Sequence, residues 1–175
     1  MPDPSIPVLD RGFVRLIDHM GTDLTVVNAA RVSFGKRKEA FDGKDAELVG
    51  YLAEHEHTAP FRHAYLTFHV KAPIFVFRQW MKHRIASDFN EISGRYVEFQ
   101  ENEFYVPETF RQQAKVNKQG SEGEIAEADR AQAHEIYLEA CRASVAEYKK
   151  LIELGVCLEQ ARCVLPLGLY SEVYW

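Results

Sequence analysis

The sequence predicts a single α+β domain. Three observations carry that expectation: short segments rich in β-branched and aromatic residues, longer segments with apolar residues at helical spacing, and no repeat or linker between them. At 175 residues the chain is long enough for one domain with a real core, and short for two. Its make-up, 46% hydrophobic and 27% charged, is that of an ordinary globular domain.

The elements follow in order. Gly12–His19 alternates in part between apolar and polar residues and reads as a strand. Asp23 can cap a short helix reaching Val32. In Asp45–His55 the residues Ala46, Val49, Tyr51, Leu52 and Ala53 mark a helix. Ala64–Lys71 is β-branched and aromatic, a strand signature. Pro73 suits the first turn of a helix continuing over Ile74–Ile85. Glu98–Val106 reads as a strand or an irregular segment. Residues 111–123 (RQQAKVNKQGSEG) are polar and Gln-rich, which predicts a flexible surface loop. From Ile125 onward, Ala133, Ile136, Tyr137, Cys141, Val145, Tyr148 and Ile152 define a long helix, with Gly155 as its stop. Val156–Val164 reads as a further helix ended by Pro166. The final stretch, Val164–Trp175, is among the most apolar in the chain, as though the chain stopped in mid-fold.

Composition narrows the function classes. A net charge of -5 argues against a polymeric nucleic acid as partner, so any phosphate must be held by a local cluster. The apolar runs Ala72–Phe77 and Cys163–Tyr170 are too short to span a bilayer. Met1–Asp10 lacks the basic and apolar regions of a signal peptide. A cytoplasmic protein without membrane contact is expected. Cys141, Cys157 and Cys163 form no Cys-x-x-Cys pair and are expected to be buried, reduced thiols.

The informative segment is Arg78–Tyr96, RQWMKHRIASDFNEISGRY. It gathers Arg78, Lys82, His83, Arg84 and Arg95 against only Asp88 and Glu91. On a helix over Ile74–Ile85, Arg78 and Lys82 would share a face, and Gln79 and His83 the adjacent one. The helix dipole accounts for one or two cations near a C-terminus, not for the whole set. Guanidinium forks match phosphate oxygens, Gln79, Asn90 and Ser93 can read a base edge or sugar, and Gly94 permits close approach or a positive φ. These residues suit a small phosphorylated ligand, or else a solvated charged face.

The same residues resemble the flavin-dependent thymidylate synthase family. Lys82-His83-Arg84, eight residues and Ser93 match its Arg-His-Arg motif, and Asn90, Glu91, Arg95 and Tyr96 match the extension. Phe68–Trp80, Ala29–Phe34 and Ala161–Leu167 are similar to the family as well. The resemblance implies a mixed or antiparallel sheet packed by helices. It also implies methylation of dUMP to dTMP with methylenetetrahydrofolate as carbon donor, FAD and NADPH as reductant, and a homotetramer. By resemblance, FAD meets His57, Ala59, Lys82, His83, Arg84 and Glu91. The nucleotide dUMP meets Gln79, Trp80, Met81, Lys82, Glu91, Ile92, Ser93, Gly94, Arg95 and Arg162, the last reaching in from a neighbouring subunit.

Lys82 departs from the motif's first arginine and loses its fork; Ala59 stands where Ser or Thr is frequent, and Arg62 where Glu is. Family members continue past the Tyr174-Trp175 region, so the chain alone is expected to have little synthase activity. Nothing in the sequence places a base beside Ser93, which is expected to be a ligand and not a nucleophile. No cysteine lies in the motif of the cysteine-dependent thymidylate synthases. Two other classes fit some residues: a non-catalytic nucleotide-binding module, and a metal-dependent hydrolase built on His55, His57, His63 and His69. The latter lacks an Asp or Glu at ligand spacing, so no metal is expected.

Overall fold

The computed structural model describes residues 5–175; the expectation for Met1–Asp10 lies outside the described residues at positions 1–4. Strands β1 (Ser5–Val8), β2 (Gly12–Met20), β3 (Tyr65–Pro73), β4 (Asn90–Glu91) and β7 (Tyr170–Tyr174) form one sheet in the order β1-β2-β3-β7-β4. Every neighbouring pair is antiparallel, which decides between the two expected sheet types. The apolar end of the chain is therefore neither frayed nor peripheral. Its strand β7 lies between β3 and β4, with Val70 opposite Val173 and Ala72 opposite Ser171.

Helix α1 (Asp23–Arg31) starts one residue earlier than expected. Thr22, not Asp23, is the N-cap, and its N–H donates to the Thr25 hydroxyl at 3.0 Å. Helix α2 (Gly43–Glu54) is capped by Asp42, whose carboxylate accepts from the Asp45 N–H at 3.1 Å. Between them, Asn28 holds the connecting loop through two bonds to the Lys38 backbone, at 2.8 and 3.0 Å.

Helix α3 (Ile74–Trp80) stops well short of Ile85. Pro73 is both the last residue of β3 and the helix N-cap. The end is closed by short-range bonds, from Lys82 N–H to Gln79 O and from His83 N–H to Trp80 O. Beyond Met81 nothing is buried to hold a further turn: Lys82, His83 and Arg84 are exposed, and the one apolar side chain there, Ile85, is 88% exposed. Propensity alone does not carry a helix without a buried face.

Residues 111–123, expected as a loop, contain most of a hairpin formed by β5 (Arg111–Gln113) and β6 (Ser121–Glu124). Its side chains are exposed, so no apolar alternation announces it. Side chains secure its backbone instead: Arg111 donates to Ser121 O, Gln112 to Glu124 O, and Gln113 to Lys118 O and Gly120 O. Gly123, at φ 55°, takes up the register shift.

Helix α4 (Glu127–Glu153) is the long helix expected, and Gly155 ends it at φ 85°. Gly155 N–H bonds Ile152 O and Val156 N–H bonds Leu151 O, the two bonds of a Schellman stop. The expected helix over Val156–Val164 resolves into α5 (Leu158–Ala161) and a 3-10 turn (Arg162–Val164).

Two apolar cores lie on either side of these elements. Val70, Ala72, Phe77 and Val173 join α3 to the sheet, with Trp80, Met81 and Trp175 packed against them. Phe104, Cys141 and Val145 join α4 to the irregular segment before the hairpin. That segment, around Phe104, makes one isolated bridge to Leu169.

Candidate functional site

Three chain segments enclose a cleft of about 380 Å³. The first is α3. Its N-cap Pro73 has no side chain to satisfy the first N–H groups, and the carbonyls of Leu169 and Leu167 accept from Ile74 and Phe75 at 2.9 and 3.1 Å. The loop before β7 is thereby docked on the helix. Ile74 and Arg78, one turn apart on the same helix face, line the cleft.

The second segment is Glu91–Gly94. Ile92 N–H donates to Glu172 O at 2.9 Å, continuing the pairing of β4 with β7. The chain then turns at Ser93, whose carbonyl accepts from Tyr96 and Val97. The Ser93 hydroxyl accepts from the Arg95 N–H at 3.3 Å. Gly94 is buried and its φ is not positive. A side chain there would collide with the Phe99 ring at 2.5 Å and with Arg162 Cδ at 3.1 Å, so close approach, not a left-handed backbone, requires the glycine.

The third segment supplies Arg162 and Cys163 from the 3-10 turn, with Leu165, Pro166, Leu167 and Leu169 as an apolar wall. Arg162 lines this cleft within its own chain. Among the described residues, neither Arg78 nor Arg162 has a carboxylate partner, hydrogen bond or aromatic contact for its guanidinium. Two unpaired cations, a hydroxyl and the Glu91 carboxylate thus face one partly apolar cleft.

Of the residues expected at the nucleotide, Glu91, Ile92, Ser93, Gly94 and Arg162 line this cleft. Trp80 and Met81 do not: they are seated in the sheet core, with Trp80 edge-on to Trp175 at 5.0 Å. Gln79 and Lys82 are exposed at the end of α3 and outside the cleft lining. Arg95 turns to α5 and pairs with Glu159 at 3.2 Å. Arg78 was visible as part of the basic cluster but not singled out. What brings Arg78 to the cleft is the docking of the loop before β7 on the start of α3, a contact between distant segments.

The segments expected at the flavin meet at a second, wider groove of about 930 Å³. Thr58, Phe61 and Arg62 flank it on one side, Ile85, Ala86, Ser87 and Asp88 on the other, and Tyr65, Leu66, Phe68 and Trp175 complete it. His57 and Ala59 adjoin Thr58 in sequence and are exposed, but they do not themselves line the groove, and neither do Lys82, His83, Arg84 or Glu91. Lys82, His83 and Arg84 run directly into the second. Arg84 is held there, its Nε donating to Met81 O at 3.3 Å and its guanidinium stacked over Phe89 at 5.3 Å. Ala86, at φ 56°, turns the chain. An apolar and aromatic groove with cations at its rim has the chemistry to receive a planar ring system bearing phosphates.

The cysteines differ from expectation. Cys141 is buried, and burial raises its thiol pKa; Cys157 and Cys163 are exposed. Cys163 Sγ donates to Glu159 O at 3.6 Å. The histidines do not converge either. His55 stacks on Tyr51 at 4.0 Å, while His69 on β3 bonds Glu172 at 2.8 Å. Among the described residues no group of three His, Cys, Asp or Glu could hold a metal ion, and no described helix is long and apolar enough to cross a membrane.

Comparison with known proteins agrees with this geometry. Residues 15–175 match the model of the family described as thymidylate synthase complementing protein. The flavin-dependent thymidylate synthase of Thermus thermophilus is 54% identical over 172 residues; these cover 98% of this chain and 61% of that protein, so the chain spans about three fifths of that relative. The enzyme of the same name from Kosmotoga olearia is 46% identical, with 97% of this chain and 73% of that protein covered. Among solved structures, the UMP/dUMP methylase PolB of Streptomyces cacaoi, bound with 5-Br dUMP, superimposes with a TM-score of 0.81 at 37% identity, covering 97% of this chain and 74% of that one. With residues 15–175 of its 175 matched by the family model, the chain belongs to the thymidylate synthase complementing protein family.

Proposed function

We propose that this chain binds dUMP in the Arg78–Arg162 cleft and a flavin in the groove beside it, and that it serves an enzyme converting dUMP to dTMP. Methylenetetrahydrofolate is the carbon donor and FAD with NADPH the reductant. The observation that carries this reading is the pair of unpaired guanidinium groups in one cleft. Two guanidinium groups in one cleft, neither ion-paired among the described residues and set against the single charge of Glu91, favour an anionic ligand, and a phosphate monoester supplies two charges and a fork of oxygens. The names of the relatives, and the dUMP analogue bound to PolB, support the same substrate class.

Each wall then has a task. Arg78 and Arg162 hold the phosphate. Ser93 and Glu91 orient the sugar and base through hydrogen bonds, and Ile74, Leu165 and Leu167 keep water from the ring. A flavin bound in the second groove supplies the reducing equivalents that the conversion consumes. Thr58, Ser87 and the Lys82–Arg84 run would hold it, with Arg84 already fixed against Phe89. Ser93 acts as a ligand, since its hydroxyl already accepts the Arg95 N–H and no hydrogen bond ties it to a base. Homotetramer formation belongs to the same reading and is supported by exposed apolar side chains such as Phe34 (78%) and Ile85 (88%).

Calorimetric titration tests the nucleotide assignment. The protein should bind dUMP, while deoxyuridine, lacking the phosphate, should bind about a hundredfold more weakly. Equal affinity for the two would overturn it. Loading with FAD, followed by visible absorbance and gel filtration, tests the groove: a protein that retains no flavin contradicts its assignment.

A further inference from the structure

Among the described residues, Asp45 and Ser171 are the buried polar or charged side chains. Ser171 is 2% exposed and sits in β7, in the middle of the sheet. Its surroundings are apolar: Val173 lies two residues on along the same face, and Ala72 is its partner across the β3–β7 ladder. A buried hydroxyl costs stability unless it is bonded. Ser171 Oγ donates to Glu91 Oε1 at 2.6 Å. That carboxylate reaches the cleft, and its residue is exposed. This charge-assisted bond contributes to folding, but an alanine at this position would leave no buried donor unsatisfied, and the carboxylate of the exposed Glu91 could be solvated in its place. The bond does something else: it selects one orientation of Glu91. The Glu91 backbone is already anchored, because β4 pairs with β7 at Val173 and Ile92 N–H is bonded to Glu172 O. With Oε1 committed to Ser171, the second oxygen has no partner among the described residues.

We propose that Ser171 is a positioning residue for nucleotide recognition: it fixes the Glu91 carboxylate so that its free oxygen accepts a hydrogen bond from a donor on the nucleotide. The inference rests on the reading of this cleft as the dUMP site. Two nucleotide groups can donate, the imide N–H of the pyrimidine and the sugar hydroxyl, and both present the same chemistry to a carboxylate. Arg78 and Arg162 hold the phosphate independently of Ser171, so removing the Ser171 hydroxyl loosens the nucleoside end of the ligand and leaves the phosphate end alone.

The test titrates dUMP and inorganic phosphate into the wild-type chain, Ser171→Ala, Ser171→Thr, Glu91→Gln and the Ser171→Ala/Glu91→Gln double variant. Ser171→Ala should weaken dUMP binding about tenfold and leave phosphate binding unchanged. Ser171→Thr, which keeps the hydroxyl, should stay within about twofold of wild type. The double variant should bind no more weakly than Glu91→Gln alone, because both changes remove one interaction. Comparison of 3-methyl-dUMP with 2′,3′-dideoxy-UMP identifies the donor, as the analogue lacking it will no longer distinguish Ser171→Ala from wild type. Should the alanine variant fail to fold, Ser171→Cys, of similar volume and weaker donor strength, takes its place with the same expected direction. Unchanged dUMP affinity in the variant, a parallel loss of phosphate binding, or additive effects in the double variant each overturn the positioning role while the nucleotide assignment stands. A wild-type chain that binds no dUMP overturns both.

Discussion

Two clusters of charge in this chain look alike as sequence and behave as opposites in space. Around α1 and α2, Arg31, Lys38, Asp42 and Asp45 close on one another. Asp45 is fully buried and accepts from Arg31 at 2.8 Å, from Lys38, and from the Asp42 N–H at 3.0 Å. Around the cleft, Arg78 and Arg162 face one space, and neither is ion-paired with a carboxylate among the described residues, Glu91 on the same cleft included. The first cluster is complete and cross-links two helices and the loop between them. The second has no such ion pairs among the described residues, and the proposed nucleotide phosphate would complete it. Charge counts cannot tell these apart; partner counts can.

The sharpest way to break the comparison is to open the complete cluster. Asp45→Ala leaves Arg31 and Lys38 without their buried counter-charge. It should lower the Tm by on the order of 10 °C while leaving dUMP affinity at 25 °C within about twofold. Thermal unfolding and titration of the same preparation read both. The converse follows for Arg162→Ala, which should weaken dUMP binding by roughly thirtyfold to a hundredfold with the Tm held within about 2 °C. If Arg162→Ala instead destabilised the chain as Asp45→Ala does, Arg162 would be structural and the contrast would fail.

How much of this was legible beforehand depends on what carried the signal. Helix α4 was readable because its apolar residues and the Gly155 stop are local features, and β2 and β3 because β-branched and aromatic residues mark them. The residues Glu91–Gly94 and Arg162 were reached through a motif, and the fold brings them together at one cleft. What failed depended on distant partners. The end of α3 is set by how much of it the sheet can cover, so the helix stops at Trp80 instead of Ile85, with Trp80 and Met81 packed against the core. The hairpin of β5 and β6 is held by glutamine and arginine side chains on backbone carbonyls, which no hydropathy pattern reveals. Ser171 reads as an ordinary strand residue until Glu91, eighty positions away, is found bonded to it.

A smaller effect sharpens the description of the cleft floor. Gly94→Ala puts a methyl group where Phe99 and the Arg162 side chain already sit. Phe99 is packed against Tyr148, with ring centroids 6.5 Å apart, and its N–H bonds the Tyr148 hydroxyl, so it cannot simply swing away. Arg162 is freer and should move first. The variant is therefore expected to lose about fivefold to tenfold in dUMP affinity, less than Arg162→Ala, with a modest stability loss of about 1–2 kcal/mol from overpacking. Wild-type dUMP affinity in Gly94→Ala would show that the cleft tolerates displacement of Arg162 and that its position is not set by Gly94.

The last difference between the clusters is their response to acid. The Lys38 ammonium, hydrogen-bonded to the Asp45 carboxylate, is the largest influence on that group; burial opposes it, and the Arg31 guanidinium adds to it, so the pKa falls to about 2. In the unfolded chain the group titrates near 3.8. A carboxylate whose folded value lies below its unfolded value contributes its stabilisation fully above the unfolded value and loses it as pH falls toward the folded one. The folded chain should thus become less stable between about pH 4 and pH 2, with the unfolded state taking up at most one more proton than the folded state through Asp45. Asp45→Asn cannot titrate, so it should be less stable at neutral pH and show a flatter profile over that window, the two curves converging as pH approaches 2. Chemical denaturation at fixed pH steps measures both curves. Parallel curves across the window would mean that other acids carry the dependence, and that the buried Asp45 is held by packing more than by its cations.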